Sequence, residues 1–402
     1  MKPLAIPYPK VTIRPEKQKI FFQRHPWIFS GALTCIPRSA PEGSPVFITD
    51  TSGEIKGLGF LSKGSIAVRV LQWTNRMLPV EFFIDQGIKS AVALRGSLGL
   101  FDSKVTDCFR LIFGEGDGLP GLVVDYYSGY CIVQCHHLGI FLYREYIYSS
   151  LKNHLGDRLK GIYDKSADSL HDDSIENSWV LGESIDEILA KENNHSFFID
   201  FQKGQKTGFF IDQRENRRLL STLSAGRTVL NTFSYTGGFS IYALAAGANE
   251  VVSLDISQRA IDLLEKNINI NGLKNRFHTA LAADAFEYLT NIDRMFDVII
   301  LDPPAFAKSH RVTHNAVIGY KRLNTLAMNK LNDNGILMTF SCSQNISDEL
   351  FLNTITSAAM DTGQSFQLLY RLHQPPDHPV SIYHPEGKYL KGFVLKKTSK
   401  FN

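Results

Sequence analysis

The chain has 402 residues, of which 44% are hydrophobic and 21% charged, a composition typical of globular proteins. A single hydrophobic core stops growing near ~250–300 residues, so we expect two or three domains. The net charge of +3 neither requires nor excludes a nucleic-acid partner. No stretch has the ~20 apolar residues of a membrane span, and the N-terminus lacks a signal-peptide core. Five cysteines in a chain of this length argue against a disulfide framework, so we expect a cytoplasmic protein.

Residues 1–75 carry short β-type runs separated by glycines, which predicts a small β-rich domain. Three basic residues, Lys17, Lys19 and Arg24, lie close together in this segment, with aromatic residues interleaved. RNA attracts cations to its backbone and stacks its bases on aromatic rings, so the pattern suits an RNA-binding surface. A solvated, charged edge of a small β-barrel explains the same residues equally well.

The segment 76–190 begins with a helical pattern. Apolar residues recur at helical spacing from Pro79 to Leu98, and a second pattern of this kind covers 139–155. A polar stretch at 165–177 predicts a surface loop or an interdomain linker.

Between the two helical patterns, apolar runs on either side of Ser128-Gly129 predict a β-hairpin. The glycine-rich loop before this hairpin contains Glu115 and Asp117. These acids could bind a metal or a substrate, although such loops are more often plain turns.

The second strand of that hairpin and the residues after it contain potential zinc ligands, Cys131, Cys135, His136 and His137. Strand residues four apart are separated by ~13 Å, because each residue rises ~3.3 Å. Zinc–sulfur bonds are ~2.3 Å long, so both thiols cannot reach one ion. We therefore predict no metal site here and no metal cofactor for the protein.

The stretch 228–255 has the pattern of a βαβ unit: an apolar run, a turn of small residues, an amphipathic helical stretch and a second apolar run. The paired glycines Gly237 and Gly238 let the backbone approach a ligand closely. Asp255 ends the second run, and an acid there can accept hydrogen bonds from both hydroxyls of a ribose. An ordinary βαβ turn without a ligand is the alternative interpretation.

The identity of the ligand follows from what the turn lacks. The dinucleotide fingerprint G-x-G-x-x-G is absent, so the turn has no glycine-lined place for a pyrophosphate, which argues against a dehydrogenase. A ligand with a ribose but without a phosphate fits better. The pattern therefore indicates S-adenosylmethionine.

The alternation of strands and helices continues to residue 343. We predict further helices over 212–223, 257–271 and 319–331, and further strands over 277–282, 296–301 and 335–340. Parallel sheets bind ligands at the carboxyl ends of their strands, where Asp284, Asp302 and Cys342 should lie. The arginines of the helix over 212–223, including Arg214, suit either a solvated face or a phosphate clamp.

Cys342 stands between two serines directly after a strand, at a polar rim, whereas an isolated cysteine is usually a small core residue. A thiolate is the natural nucleophile for C6 of a pyrimidine. Attack there makes C5 nucleophilic enough to take a methyl group from a sulfonium. Asp302 precedes two prolines, whose fixed backbone suits the positioning of a flat base.

Several segments resemble the RlmI-like group of class I S-adenosylmethionine-dependent methyltransferases, which modify C5 of cytosine in ribosomal RNA of the large subunit. The segments are spread over nearly the whole chain: HPWIFSGAL, GEGDGLPGLVVD, QKTGFFIDQRENR, NTFSYTGGFS, SLDIS, DAFEYL, FDVIILDPPAFAKS, GYKRLN, SCS, DHP and PEGKYLKG. The resemblance implies an α/β chain with three domains. These are an N-terminal β-rich PUA domain at 1–75, a central α/β domain at 76–190 that serves as an RNA platform, and a Rossmann-like methyltransferase domain at 191–402.

The resemblance and the strand-end positions together give the expected site. Cys342 and Asp302 are the predicted catalytic residues. The predicted cofactor-binding residues are Phe233, Ser234, Tyr235, Thr236, Gly237, Gly238, Asp255, Ile256, Ser257, Asp284, Ala285 and Gln213. The predicted RNA-binding residues are Lys17, Lys19, Arg24, Lys206 and Arg214. The expected partner is ribosomal RNA of the large subunit, and both a monomer and a homodimer are compatible with the sequence.

The chain departs from many RNA cytosine-C5 enzymes at one point. Those enzymes carry a second cysteine in the Asp302 motif for product release, whereas Ala305 and Phe306 follow the prolines here. Two alternatives therefore stay open. One is an RNA or protein N-methyltransferase, in which Asp302 holds an amino group and Cys342 is structural. The other is a non-catalytic RNA-binding assembly factor.

Overall fold

A computed structural model of the chain describes residues 8–34, 36–37, 40–170, 172, 174–306 and 313–398. The strands are β1 (Lys10–Thr12), β2 (Trp27–Phe29), β3 (Pro45–Thr49), β4 (Ile55–Leu61), β5 (Ile66–Gln72), β6 (Cys108–Phe113), β7 (Leu122–Tyr127), β8 (Tyr130–Cys135), β9 (Gly161–Asp164), β10 (Ser178–Leu181), β11 (Ile188–Glu192), β12 (His195–Ile199), β13 (Thr228–Thr232), β14 (Glu250–Asp255), β15 (His278–Ala282), β16 (Phe296–Leu301), β17 (Leu331–Ser341), β18 (Ser365–Leu372) and β19 (Lys391–Thr398). The helices are α1 (Ile20–Gln23), α2 (Val80–Ser97), α3 (Leu138–Phe141), α4 (Arg144–Leu155), α5 (Ala167–Leu170), α6 (Arg214–Ser224), α7 (Gly238–Ala245), α8 (Gln258–Ile270), α9 (Ala285–Asn291), α10 (Thr313–Met328) and α11 (Asp348–Thr362).

These elements form two compact units, and neither is a continuous piece of chain. The first unit comprises residues 1–190, 199–209 and 376–387. The second comprises residues 191–198, 210–375 and 388–402. The expected division into three domains, at 75/76 and 190/191, stays a prediction.

The first unit contains two five-stranded sheets. The N-terminal sheet has the order β1-β3-β4-β5-β2, and its apolar side chains, such as Ile48 and Val68, form a core of their own. The other sheet has the order β10-β9-β8-β7-β6, and α2 and α4 bury their apolar faces in its core through Ile84, Ile88 and Leu151. Strong helical periodicity thus placed these helices correctly, although the pattern at 139–155 is divided between α3 and α4.

The second unit contains a seven-stranded sheet of order β15-β14-β13-β16-β17-β19-β18. Its first five strands are parallel, and β19 and β18 extend the sheet in antiparallel fashion. Strands covered on both faces are largely apolar, as in β16, where Val298 to Leu301 are fully buried. The expected α/β fold, with a Rossmann-like domain and a β-rich N-terminal domain, is confirmed.

Two local expectations need adjustment. Of the two interpretations of 165–177, the interdomain linker is wrong, because the stretch joins two strands of one sheet. A surface loop fits most of its described residues, although Lys165 is fully buried with its Nζ donating to the Gly204 carbonyl at 2.7 Å. The helix expected over 319–331 lies at Thr313–Met328, and residue 331 already begins β17. Among the described residues, no helix is long and apolar enough to cross a membrane.

Candidate active site

The carboxyl ends of the parallel strands form one edge of the sheet in the second unit. From β13 the chain adds β14 and β15 on one side, and β16 and β17 then continue on the other side. The order of strands therefore reverses between β13 and β16, and ligands bind at such a switch point in open α/β sheets. The predicted residues Phe233, Asp255, Asp284, Asp302 and Cys342 follow or end these five strands, so the structure brings them to the same edge.

The turn after β13 has an unusual backbone. Phe233 and Tyr235 have φ angles of 55° and 45°, and Gly237 has 83°. Left-handed conformations of non-glycine residues are strained and concentrate at functional sites. Gly237 is required for a second reason, since a Cβ atom there would lie 2.6 Å from Cγ of Leu264. The turn therefore has a backbone conformation that residues with side chains rarely adopt.

Asp255 holds this turn in place. Its Oδ2 accepts a hydrogen bond from the Tyr235 amide, and its Oδ1 accepts one from the Ser257 amide, both at 2.9 Å. A carboxylate has about four acceptor positions, so both oxygens keep capacity for the two hydroxyls of a ribose. Ile256, the next residue, exposes 77% of its surface. An apolar side chain in that place offers a surface for adenine, so the group of residues fits S-adenosylmethionine.

Asp284 lies at the end of β15 and caps the next helix. Its Oδ1 accepts a hydrogen bond from the Glu287 amide at 2.9 Å, and Ala285 begins α9. A cavity of about 660 Å³ opens beside Asp284 and is lined by side chains of α9 and α10, including Arg322. Sequence reasoning did not predict this cavity, because its walls come from two helices that β16 separates in the chain.

Asp302 occupies the centre of the edge. The Gln213 side-chain amide donates to its Oδ1 at 3.1 Å, and Asn216 in turn donates to the Gln213 carbonyl at 2.6 Å. Burial raises the pKa of Asp302 to about 7, and the nearby charge of Asp212 adds to the rise. The carboxyl group is thus half protonated near neutral pH, which suits a group that donates a proton or a hydrogen bond.

The arginines of helix α6, beside this site, do not all lie on a solvated face, which was one of the two interpretations of the sequence. Arg217 is buried and makes a two-pronged ion pair with Glu192, with N···O distances of 2.7 and 2.6 Å. Arg214 is also buried, at 4% exposure, whereas Arg218 is exposed. Sequence reasoning missed Glu192, because no local pattern signals a pair formed across 25 residues.

Cys342 differs from the other described cysteines. Cys108, Cys131 and Cys135 are buried, whereas Cys342 is partly exposed. The flanking serines anchor it to Tyr320, whose hydroxyl lies 3.0 Å from Oγ of Ser341 and 3.1 Å from Oγ of Ser343. Polar groups therefore flank this thiol, but both serines are themselves buried, so the polar rim stays a prediction.

Lys391 is a neighbour of this thiol that the sequence did not reveal. It pairs with Ser341 across the antiparallel strands β17 and β19, and its Nζ donates to the Ser343 carbonyl at 2.9 Å. Burial lowers the pKa of Lys391, while the charges of Asp348 and Cys342 act in the opposite direction. The ammonium group therefore lies within electrostatic reach of Cys342.

The predicted RNA-binding residues have different environments. Lys17, Lys19 and Arg24 are exposed around the short helix α1 of the first unit. Phe22 of the same helix is 86% exposed. Lys206 is exposed too, whereas Arg214 is buried and paired with Glu215, and a buried side chain is poorly placed to contact RNA.

Glu115 and Asp117 have structural partners. The Trp27 indole N–H donates to Oε1 of Glu115 at 2.7 Å, and Arg69 lies 3.4 Å from the same oxygen. Asp117 makes a two-pronged ion pair with the fully buried Arg95, at 2.6 and 2.9 Å.

Comparison with known proteins identifies the two main parts of the chain. Residues 167–388 match the model of an S-adenosylmethionine-dependent methyltransferase family, and residues 11–73 match that of a PUA-like domain. The ribosomal RNA large subunit methyltransferase I of Erwinia tasmaniensis is 36% identical over 94% of this chain and 97% of its own length. The protein of the same name from Alteromonas mediterranea is 34% identical over 97% and 99%.

Solved structures agree on the fold. A structure described as a methyltransferase complexed with SAH superimposes with a TM-score of 0.84 over 96% of this chain and 100% of its own, at 23% identity. With a strand-end site that fits S-adenosylmethionine and close relatives over nearly its full length, the chain belongs to the family of S-adenosylmethionine-dependent methyltransferases that includes the ribosomal RNA large subunit methyltransferases I.

Proposed function

We propose that the protein transfers a methyl group from S-adenosylmethionine to C5 of a cytosine in ribosomal RNA of the large subunit, through a covalent bond between Cys342 and C6. The observation that carries the proposal is the partly exposed thiol at the strand ends, with a buried ammonium group close to it and a protonatable carboxyl group on the neighbouring strand. The choice of ribosomal RNA of the large subunit as substrate rests on the names of the similar proteins from Erwinia tasmaniensis and Alteromonas mediterranea.

In this proposal the cofactor lies against the turn after β13. Asp255 accepts hydrogen bonds from the ribose hydroxyls, Ile256 packs on the adenine, and Asp284 accepts a hydrogen bond from the adenine amine. S-adenosylmethionine supplies a methyl group on a sulfonium, which a carbon nucleophile can displace. The left-handed backbone at Phe233 and Tyr235 supports this placement, because such strain concentrates at functional sites.

Cys342 begins the reaction on the base. Its thiolate forms a bond to C6, and the electron pair of the C5–C6 double bond moves through the ring towards N3. Asp302 in its protonated form donates to N3 and so stabilises the negative charge that develops there. Lys391 stabilises the thiolate before the attack, because an ammonium group nearby favours the charged form of a thiol.

The product then leaves by elimination. C5, having gained the methyl group, still carries its hydrogen, which a base must remove before the C6–S bond breaks and restores the thiolate. Asp302, ionised after its donation, or a water molecule is the base we propose, since Ala305 and Phe306 replace a second cysteine. The N3 proton passes to solvent, so one proton is released for each methyl group transferred.

RNA containing 5-fluorocytidine provides a test that reports on the bond itself. Fluorine at C5 cannot be removed as a proton, so the enzyme–RNA adduct accumulates after methyl transfer. We expect an adduct by denaturing electrophoresis and mass spectrometry with wild-type protein and large-subunit RNA, and none with Cys342→Ala. Cys135→Ala is the matched control, because it removes a buried thiol of the first unit.

Nucleoside mass spectrometry after incubation with labelled S-adenosylmethionine completes the test. 5-Methylcytidine from wild type supports the proposal. A methylated purine with full activity in Cys342→Ala would instead favour the N-methyltransferase alternative, with Asp302 holding an amino group. Failure to bind S-adenosylmethionine at all would favour the assembly factor.

We also propose that the N-terminal unit contacts the RNA through Lys17, Lys19 and Arg24. Their exposure beside the exposed ring of Phe22 supports this, since cations and aromatic rings together suit RNA. Replacing the three residues by Gln should weaken RNA binding and its salt dependence in a filter-binding assay, without changing affinity for S-adenosylmethionine.

A further inference from the structure

We propose that His25, His384 and Glu386 of the first unit form a site for a divalent transition-metal ion such as Zn²⁺. Each side chain offers one ligand atom, and these atoms all lie within 4.8 Å of one another. Two imidazole nitrogens and one carboxylate oxygen form a donor set that zinc prefers, with a water molecule as the fourth ligand. Its residues belong to the first unit, whereas the proposed chemistry uses residues of the second unit.

The distances are already close to those of a metal site. Nε2 of His25 lies 3.2 Å from Oε2 of Glu386, and Nε2 of His384 lies 3.8 Å from the same oxygen. Ligand atoms around a tetrahedral zinc are about 3.3 Å apart, since each zinc–nitrogen or zinc–oxygen bond is about 2.0–2.2 Å long. Rotation of the exposed Glu386 side chain would therefore complete the geometry without movement of the backbone.

The environment of His384 points to a missing ligand. Only 5% of this residue is exposed, and neither ring nitrogen has a hydrogen-bond partner in the part of the chain that the structure describes. A buried polar atom is normally satisfied, so the two nitrogens need a partner outside the described residues, and an ion or an ordered water would serve. The Trp27 ring, 4.6 Å away between centroids, holds the imidazole in position.

His25 contacts the backbone of Trp27 through Nδ1, which lies 3.1 Å from the Trp27 amide nitrogen and 3.3 Å from the Trp27 carbonyl oxygen. When Nδ1 accepts from the amide, Nε2 carries the proton and donates to Glu386. A cation bound at Nε2 would select the other tautomer, in which Nδ1 donates to the carbonyl, an outer contact typical of metal ligands.

The charges near the site also favour a cation. Arg69 is balanced by Glu115, whose Oε1 lies 3.4 Å from its guanidinium. With both histidines neutral, the carboxylate of Glu386 leaves a net negative charge. A bound ion would connect His25, two residues before β2 of the N-terminal sheet, to the distant segment 376–387, so its role would be to stabilise the first unit.

The test uses the full-length protein, stripped with a chelator, incubated with ZnCl₂ and separated from free metal by gel filtration. We expect one zinc per chain by mass spectrometric metal analysis, and a rise in the melting temperature of wild type on zinc addition. Glu386→Gln and His25→Asn should each weaken zinc binding at least roughly tenfold, the smallest loss expected when even an outer contact of a metal site is removed. Both residues keep exposed surface, so these variants should fold.

His154→Asn is the matched control. His154 also lies next to a carboxylate, with its Nε2 2.9 Å from Oδ1 of Asp85. Among the described residues, this pair has no third side chain that could complete a metal site. This variant should bind zinc as wild type does. Absence of zinc from the wild type, or the same zinc content in Glu386→Gln and His25→Asn as in wild type, would overturn the proposal. Neither result bears on methyl transfer.

Discussion

Asp117 in the first unit and Asp302 in the second are carboxylates removed from bulk water, but their partners differ. Asp117 accepts a bidentate pair of hydrogen bonds from the fully buried guanidinium of Arg95. Asp302 receives the neutral amide of Gln213, while the nearby Arg217 is already paired with Glu192. A carboxylate paired with a buried guanidinium holds elements of a fold together. A carboxylate with an amide partner can change its protonation near neutral pH, which is what chemistry on a base requires.

The largest effect should come from the thiol beside Asp302. We expect Cys342→Ala to reduce methyl transfer at least about 10³-fold, because the nucleophile is lost, while affinity for S-adenosylmethionine stays unchanged. Single-turnover assays and calorimetry measure the two quantities. A variant that loses cofactor affinity would show that Cys342 belongs to the donor site and would refute its role as nucleophile.

Breaking the Asp117 pair should affect stability instead. Arg95→Met leaves a buried, unpaired carboxylate and should lower the free energy of unfolding by about 3–5 kcal/mol. The exposed Arg76→Met is the control and should change it by less than about 0.5 kcal/mol. Equal losses in urea denaturation would mean that burial and pairing at Arg95 do not matter. Combining Arg95→Met with Asp117→Leu should recover part of the loss.

Asp302→Asn should act mainly on the reaction. An amide cannot transfer a proton, so we expect a decrease of about 10²-fold in methyl transfer. In wild type the rate should fall above about pH 7, where Asp302 loses its proton, and the variant should lack this fall. An unchanged pH profile in the variant would remove Asp302 from the proton transfer.

The same variant should be more stable than wild type at pH 8. The pKa of Asp302 rises from an ordinary 3.8 to about 7 on folding, so between these values the folded chain binds more protons than the unfolded one. Stability therefore falls as the pH rises through this window. Asn cannot ionise, and calorimetry at pH 8 should show a gain of roughly 1–4 kcal/mol that shrinks towards pH 4. A loss at pH 8 would mean that the charged form is well satisfied.

Asp255→Ala should weaken binding of S-adenosylmethionine by about 1.5–3 kcal/mol, the scale of hydrogen bonds to a charged group. Asp262→Ala, an exposed acid on α8, is the control. Calorimetric dissociation constants measure both. If Asp255→Ala binds as wild type does, the carboxylate serves only to hold the turn.

The smallest effect concerns Lys391. Lys391→Met should slow alkylation of Cys342 by iodoacetamide about tenfold at neutral pH and shift its pH dependence upwards, because the ammonium group no longer favours the thiolate. Lys391→Arg should restore most of the rate. Because alkylation needs no RNA, it reports on the thiol separately from methyl transfer. Equal rates in Lys391→Met and wild type would exclude electrostatic activation.

Sequence patterns were most reliable where one element determines its own structure. The strand Phe296–Leu301 has the predicted bounds, because a strand covered on both faces shows an almost continuous apolar run, here residues 298–301. The hairpin at Ser128-Gly129 formed as predicted, because both residues adopt the positive φ angles that its tight turn requires.

Contacts between residues far apart in the chain could not be predicted from the sequence. Lys391 lies within electrostatic reach of Cys342 because β19 pairs with β17 in the register that places Ser341 opposite Lys391. The pairs Arg217–Glu192 and Arg95–Asp117 likewise depend on packing between elements rather than on local pattern. Arginines in charged stretches are usually solvated, and their burial here could not be read from composition.

Because the first unit is built from separate segments of the chain, it affects the order in which parts of the protein finish folding during synthesis. Arg95 donates to the Asp377 carbonyl at 2.7 Å, and the Arg110 amide donates to the Asp377 carboxylate at 3.0 Å. A nascent chain that has emerged only to residue 190 therefore holds the two N-terminal sheets without the segment that satisfies these groups. The first unit, although synthesised first, must be among the last to finish folding, after almost the entire chain has left the ribosome. Fragments cut at residue 190 should accordingly be poor substitutes for this unit in binding experiments.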